Sequence, residues 1–170
     1  MATALREPIS SFSRRKDLTA EICAATVESL NQRLADAIDL QLQAKHAHWN
    51  VKGPSFFALH ALFEKITVEV AGHADLIAER AVQLGGVAEG AAGVVAARSE
   101  LSPYPLRIDS GVDHVRALSG ALAAFAVKMR CSIAEAQQSV DPVTVDILTE
   151  VCRDIEKLLW LVEAHAQTPR

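Results

Sequence analysis

Breakers are scarce in this chain. Six prolines and eight glycines in 170 residues leave long stretches where nothing interrupts a helix, because these two residues are the ones that most disfavour helix interiors. Aromatic residues make up only 5% of the chain, while hydrophobic residues make up 50%, a profile that favours an all-α fold. The three cysteines, Cys23, Cys131 and Cys152, are far apart and form no CxxC pair. They are expected to be buried, reduced thiols, and thiolate zinc sites are not expected. No window approaches eighteen apolar residues, so no membrane span is expected. The opening stretch, MATALREPISSFSRRKDL, lacks the hydrophobic core of a secretory signal, which makes the cytoplasm the expected location. A net charge of −4 argues against a nucleic-acid-binding body, although a tail can differ from the body it leaves. At this length one domain is expected, with no room for a second core.

What is present is helical periodicity. Residues 1–17 show little of it; Arg6, Arg14, Arg15 and Lys16 oppose Glu7 and Asp17 there, giving a mildly basic tail ahead of a domain over 18–170. Asp17, Thr19 and Glu21 mark a helix start. The first helix is predicted over 19–50, with Val27, Leu30, Leu34, Ile38 and Leu42 as a core stripe that Trp49 continues. Gly53-Pro54 ends it and reverses the chain. The second helix, over 55–84, stops at Gly85-Gly86. A long Ala- and Gly-rich connection to Asp113 is predicted to hold one short helix over 91–98. The third helix, over 111–138, presents Val112, Val115, Leu118, Leu122, Phe125, Met129 and Ile133. The fourth, over 142–166, opens at Asp141-Pro142, an N-cap followed by proline, and packs through Leu148, Val151, Ile155, Leu158, Leu159 and Val162.

The second helix carries the chemistry. His60 and Glu64 are four residues apart, as are Asp75 and Glu79, so each pair shares a face one turn apart. Glu64, Asp75 and Glu79 lie roughly 40°, 60° and 100° round from His60, on one stripe of an otherwise apolar helix. Eleven residues separate Glu64 from Asp75, about 16 Å of helix, so one ion cannot reach both pairs of the same chain. Two antiparallel copies of the helix across a two-fold axis remove the difficulty. The numbers of His60 and Glu79 and those of Glu64 and Asp75 have the same sum, so both pairs face each other at once, with the axis near Glu69–Val70. Reversal at Gly53-Pro54 brings His48 opposite His60 as a second imidazole. Two histidines and three carboxylates form a mixed nitrogen–oxygen set that suits Fe, Mn or Zn better than Cu(I) or Ca. Lys45, one turn before His48's neighbour Trp49, is a candidate partner for a site carboxylate, against the commoner fate of reaching to solvent. Glu69 and His73 form a further pair on the opposite face of the helix. They are read as surface residues, with a separate metal site as the alternative.

These residues also carry a resemblance. AKHAHWNVKGPSFFALHALFEK, then HADLIAERAVQLGG, SPYPLRI and DILTEVCRDIEKLLWLVEAH, closely resemble the Dps family, the miniferritins named as DNA-binding proteins from starved cells. The resemblance covers nearly everything beyond about residue 20. It implies a ferritin-like four-helix bundle assembled as a twelve-subunit hollow shell that oxidises Fe(II), with hydrogen peroxide as preferred oxidant, and stores the ferric mineral. The family's ferroxidase residues fall on His48, His60, Glu64, Asp75 and Glu79. The position of Glu64 is usually Asp in that family, and the extra methylene leaves occupancy of a second iron position open. A long crossover suits a ferritin-like bundle, while the absence of Glu-x-x-His argues against a di-iron site inside one bundle.

Two further expectations follow from the shell. Asp141, Asp146 and Glu150, at the start of the fourth helix, match where the family lines its three-fold channels with acids that draw cations inward. Twelve copies of a tail bearing Arg6, Arg14, Arg15 and Lys16 would sum weak contacts to DNA into useful avidity. Iron oxidation and storage is the leading function. Nucleoid compaction through the tail, a mononuclear Zn or Mn protein, and a metal-free helical bundle are the alternatives.

Overall fold

In the computed structural model, residues 18–166 are described, and the tail residues Arg6, Arg14, Arg15 and Lys16 lie outside them. Five helices follow one another: α1 (Ala20–Asn50), α2 (Phe56–Gln83), α3 (Ala92–Arg98), α4 (Gly111–Gln138) and α5 (Pro142–Glu163). Local chemistry sets their ends. Thr19 accepts a hydrogen bond from the Ile22 amide at the start of α1, and Ser110 does the same for Asp113 at α4, satisfying amides that a helix N-terminus leaves unpaired. At the end of α2, Gly85 takes φ +86°, and the Gly86 amide returns to the Ala81 carbonyl, a left-handed stop that glycine makes without steric cost.

The helices α1 and α2 form one antiparallel hairpin and α4 and α5 another, with α1 against α4 and α2 against α5. The connection between α2 and α4 runs the length of the bundle, and α3 within it packs on α1. Among the described residues no strand occurs; Lys52 and Ser110 form an isolated bridge that ties the α1–α2 turn to the start of α4. The core is aliphatic, as the composition requires. Leu34, Leu40, Phe63, Ile66, Ile77, Leu118, Leu122, Phe125, Met129, Ile155 and Leu158 are buried within it.

Some expected core residues are not buried. Leu42, Trp49 and Val112 are exposed at 59%, 67% and 51%. Their apolar stripes are wider than one bundle can cover, and the outer edge of each stripe faces away from the core. By length and composition alone α4 is apolar enough to cross a membrane. Its residues Val115, Leu118, Leu122, Phe125 and Met129 instead fill the bundle core. Of the cysteines, Cys152 is buried, Cys23 half-buried and Cys131 exposed, and all three are free thiols. The expectation of buried thiols therefore fails at Cys131. Burial pushes the Cys152 thiol above its ordinary pKa, helped by neighbouring Glu156.

Candidate metal centre

The turn at Val51–Ser55 folds the end of α1 onto the start of α2 and sets two imidazoles face to face. The rings of His48 and His60 stack with centroids 3.7 Å apart and planes 25° from parallel. His48 Nδ1 lies 2.9 Å from the His60 carbonyl, and His60 Nδ1 lies 2.9 Å from the His48 carbonyl. A carbonyl oxygen only accepts, so each Nδ1 must carry the hydrogen and donate it. In the neutral ring that leaves the Nε2 lone pair of each histidine as the one available to a metal, the arrangement in which a hydrogen bond at one ring nitrogen fixes the ligating tautomer.

Glu64 lies beside this pair, one turn further along α2. Its Oε2 lies 2.5 Å from Lys45 Nζ and 3.4 Å from His48 Nδ1. The hydrogen bond from Lys45 holds the Glu64 carboxyl below the usual carboxylate range, against a smaller opposing effect of burial. Glu64 is therefore a carboxylate at neutral pH, and its charge is shared with an ammonium that competes with any cation. Lys45 thus takes the site-partner role weighed in the sequence. Its ammonium also lies 5.9 Å from the centre of the exposed Trp49 ring.

Asp75 and Glu79 are exposed further along α2 and do not approach this cluster. Among the described residues no three His, Cys, Asp or Glu side chains stand together as a metal site. A single chain thus stacks His48 on His60 with Glu64 beside His48, short of a complete metal-holding group, and presents Asp75 and Glu79 elsewhere on the same helix.

The acids at the start of α5 divide. Asp146 and Glu150 are exposed one turn apart. Asp141 is only 2% exposed, and its assignment as a free pore carboxylate is corrected by its partners. Arg80 Nη2 donates to both oxygens at 2.8 Å, and the Thr144 amide and hydroxyl donate at 3.2 and 2.6 Å. Burial works to raise the Asp141 pKa, but the bonds from Thr144 and Arg80 outweigh it and hold the carboxyl below its ordinary value. Arg80, 1% exposed, also donates from Nε to Thr144 Oγ1 at 2.9 Å. Sequence reasoning missed Arg80, which reads there as an ordinary base in the last turn of a helix. The expectation that Glu69 and His73 are surface residues fails at His73, which is only 7% exposed against α5, with Nε2 3.7 Å from Asp154.

Comparison with known proteins agrees with this architecture. A family model for the ferritin-like domain matches residues 27–170. The DNA protection during starvation protein of Agrobacterium fabrum is 40% identical over 159 residues, covering 94% of this chain and 98% of that protein. The solved structure of DpsA14 from Streptomyces coelicolor superposes with a TM-score of 0.87 at 34% identity, covering 91% of this chain and 92% of that one. That of Dps from Mycobacterium smegmatis gives 0.88 at 29% identity, covering 94% and 96%. With its long crossover, its four-helix core and these relatives, the chain belongs to the ferritin-like domain family, among the Dps proteins.

Proposed function

We propose that this protein is a ferroxidase and iron store whose catalytic sites are each completed by two subunits. The observation that carries the reading is the stacked His48–His60 pair, each ring held through Nδ1 and left with Nε2 for a metal, beside an ionised Glu64. Alone, this is half of a ligand set. Asp75 and Glu79 of the partner subunit supply the other half when two copies of α2 pack antiparallel. The exposed face of α2 supports that packing. Phe57 and Val82, 83% and 53% exposed, fall opposite each other in the same register that pairs Glu64 with Asp75. Near the axis, Gly72 is open enough that a Cβ there would meet nothing within 4 Å, so two helices can approach closely.

Iron is the substrate. Carboxylates stabilise Fe(III) more than Fe(II), which makes oxidation of bound iron more favourable. With hydrogen peroxide as oxidant, two Fe(II) each give up one electron, and the peroxide takes both with two protons to become water. Fe(II) and peroxide, the two ingredients of hydroxyl radical, are removed together. A twelve-subunit shell then stores the ferric product. Asp146 and Glu150, without Asp141, form the cation-drawing lining of its channels. The names of the relatives support DNA protection as the outcome; the cytoplasm is the location this reading takes, with nucleoid association through Arg6, Arg14, Arg15 and Lys16 as the second reading.

The test replaces His48 and His60 together by alanine and follows Fe(II) oxidation by peroxide. Rapid oxidation is expected to disappear while the particle mass stays that of the wild-type assembly. An unchanged rate would sink the assignment, and an unchanged Zn(II) affinity in the same variant would exclude a mononuclear zinc site on these ligands as well.

A further inference from the structure

Tyr104 is the only tyrosine in the chain, and the metal centre makes no use of it. It stands in the crossover between Pro103 and Pro105, whose rings restrict the loop. The Ser102 carbonyl just before it accepts a hydrogen bond from Gln43 on α1. The Tyr104 hydroxyl lies 2.7 Å from Nδ1 of His114, a residue of α4 that is 0% exposed. The two rings are stacked with centroids 6.0 Å apart, His46 meets the phenol ring edge-on at 5.2 Å, and Phe63 lies 6.4 Å from the His114 ring. His46 precedes His48 by two residues, and Phe63 directly precedes Glu64. Residues two apart on a helix point about 200° from each other. The tyrosine–histidine pair therefore lies against the inner side of the same hairpin that carries the metal centre.

The hydrogen in this bond has one consistent position. If His114 Nδ1 carried it, the phenol O–H would have no acceptor among the described residues. With the phenol donating, the imidazole hydrogen sits on Nε2, which faces the carbonyls of Asn50 and Ile108 without making a full hydrogen bond to either. Burial, and then neighbouring His46, hold the His114 ring below its ordinary pKa, while burial pushes the Tyr104 phenol above its own. A protonated phenol thus faces a neutral imidazole that can take its proton, and two carbonyls favour the imidazolium that would result. A phenol loses an electron readily only when its proton leaves with it, and an acceptor at hydrogen-bond distance supplies that route.

We propose that Tyr104 and His114 form a radical trap behind the metal centre, in which Tyr104 gives an electron to a strong one-electron oxidant while its proton passes to His114 Nδ1. The O–H bond of Tyr104 breaks, an N–H bond forms on His114, and a neutral phenoxyl radical remains. The oxidant is hydroxyl radical, made when a single Fe(II) reduces peroxide by one electron. It takes the electron from Tyr104 and a proton from solvent to become water. The electron can also be relayed by Trp49, 67% exposed, which adjoins Asn50 and so the carbonyl that faces His114. A second Fe(II) then gives an electron to the phenoxyl, and the proton returns from His114. Two Fe(II) are consumed per peroxide, the same balance as in the two-electron path, and no hydroxyl radical escapes. The source of the radical rests on the proposed function; the trap itself does not.

The probe is azide radical, generated by pulse radiolysis with the metal-free assembled protein, which oxidises tryptophan and tyrosine without iron. The chain has one tyrosine and two tryptophans, so phenoxyl absorption reports Tyr104 alone. Phenoxyl is expected to grow as tryptophanyl absorption decays, and Tyr104→Phe should abolish that growth. His114→Gln, which accepts a hydrogen bond but cannot keep a proton, should slow it by about tenfold or more with the assembly mass unchanged. In the wild type the growth should also slow in D2O, a readout that needs no variant. If no phenoxyl appears, or if its growth ignores both His114→Gln and D2O, the hydrogen bond only anchors the crossover and the proposal is overturned. Fe(II) mixed with excess peroxide and freeze-quenched should give the same phenoxyl by electron paramagnetic resonance; rapid Fe(II) oxidation without it would overturn the proposal too. Failure of the ferroxidase reading would look different: wild type and the His48→Ala/His60→Ala variant would oxidise Fe(II) at the same rate, while azide radical still produced the phenoxyl.

Discussion

The two ends of α2 hold the same kinds of side chain and use them in opposite ways. Near its start, Lys45 pairs with Glu64 beside two histidines, with the lysine and glutamate side chains 28% and 41% exposed. Near its end, Arg80 pairs with Asp141, with side chains 1% and 2% exposed. At the closed end every Asp141 oxygen is occupied, by a planar guanidinium that binds both at once and by Thr144. At the open end Glu64 holds one flexible ammonium, and two imidazole lone pairs have no partner among the described residues. A satisfied buried pair locks two elements together, here the end of α2 and the turn between α4 and α5. A half-satisfied exposed cluster keeps coordination capacity for something that arrives. Ion-pair distance alone would not separate the two, whereas burial and the count of unmade bonds do.

The contrast can be broken first at the closed end. Arg80→Met strands a buried carboxylate, and the expected loss is about 3–5 kcal/mol of stability, measured by denaturant unfolding. Glu64→Gln at the open end should leave the unfolding midpoint unmoved. Equal losses at both ends would mean that the two clusters are alike.

Acid sharpens the same contrast. The Asp141 pKa is depressed in the folded protein, so its contribution is present above the unfolded value of about 3.9 and lost as pH falls through the lower folded value. His73 and His114, both lowered by burial, stay neutral where the unfolded chain takes up protons. Their contribution is full above about pH 6.5 and declines below it, through the depressed folded values. Unfolding followed from pH 8 to pH 2 is therefore expected to show two declines, and the lower one should shrink when Asp141→Asn is combined with Arg80→Met.

The smallest expected effect is at Lys45. Lys45→Met removes the ammonium that competes for Glu64, and Fe(II) affinity under anaerobic conditions should rise by on the order of tenfold. Lower affinity would show that Lys45 positions Glu64 for the metal instead of opposing it.

Much of this was legible in the sequence. Periodicity, Thr19, Gly53-Pro54, Gly85-Gly86 and Asp141-Pro142 place the helix ends within a few residues, because caps and breakers act locally. The pairing of His48 with His60 was legible too, since a tight turn between two helices fixes which residues face each other. The role of Arg80 was hidden because its partner is 61 residues away, and nothing local distinguishes a buried arginine from an exposed one. Asp141 misled for a related reason: the capping signal was visible, but the buried guanidinium that binds both its oxygens was not. His73 was read as exposed because a Glu–His pair one turn apart resembles a solvated face. Trp49 and Leu42 show the converse, since apolar periodicity also marks surfaces that the core of the single chain does not cover.

Whether the iron site is shared between subunits is tested most directly by complementation. One variant carries His60→Ala with Glu64→Gln, the other Asp75→Asn with Glu79→Gln. Each assembled alone should be inactive in Fe(II) oxidation. Co-expressed and randomly mixed, half of the dimers pair unlike chains, and each of those has one intact site, so about a quarter of wild-type activity should return. No recovery in mixed particles of normal mass would contradict a site built across the two-fold axis.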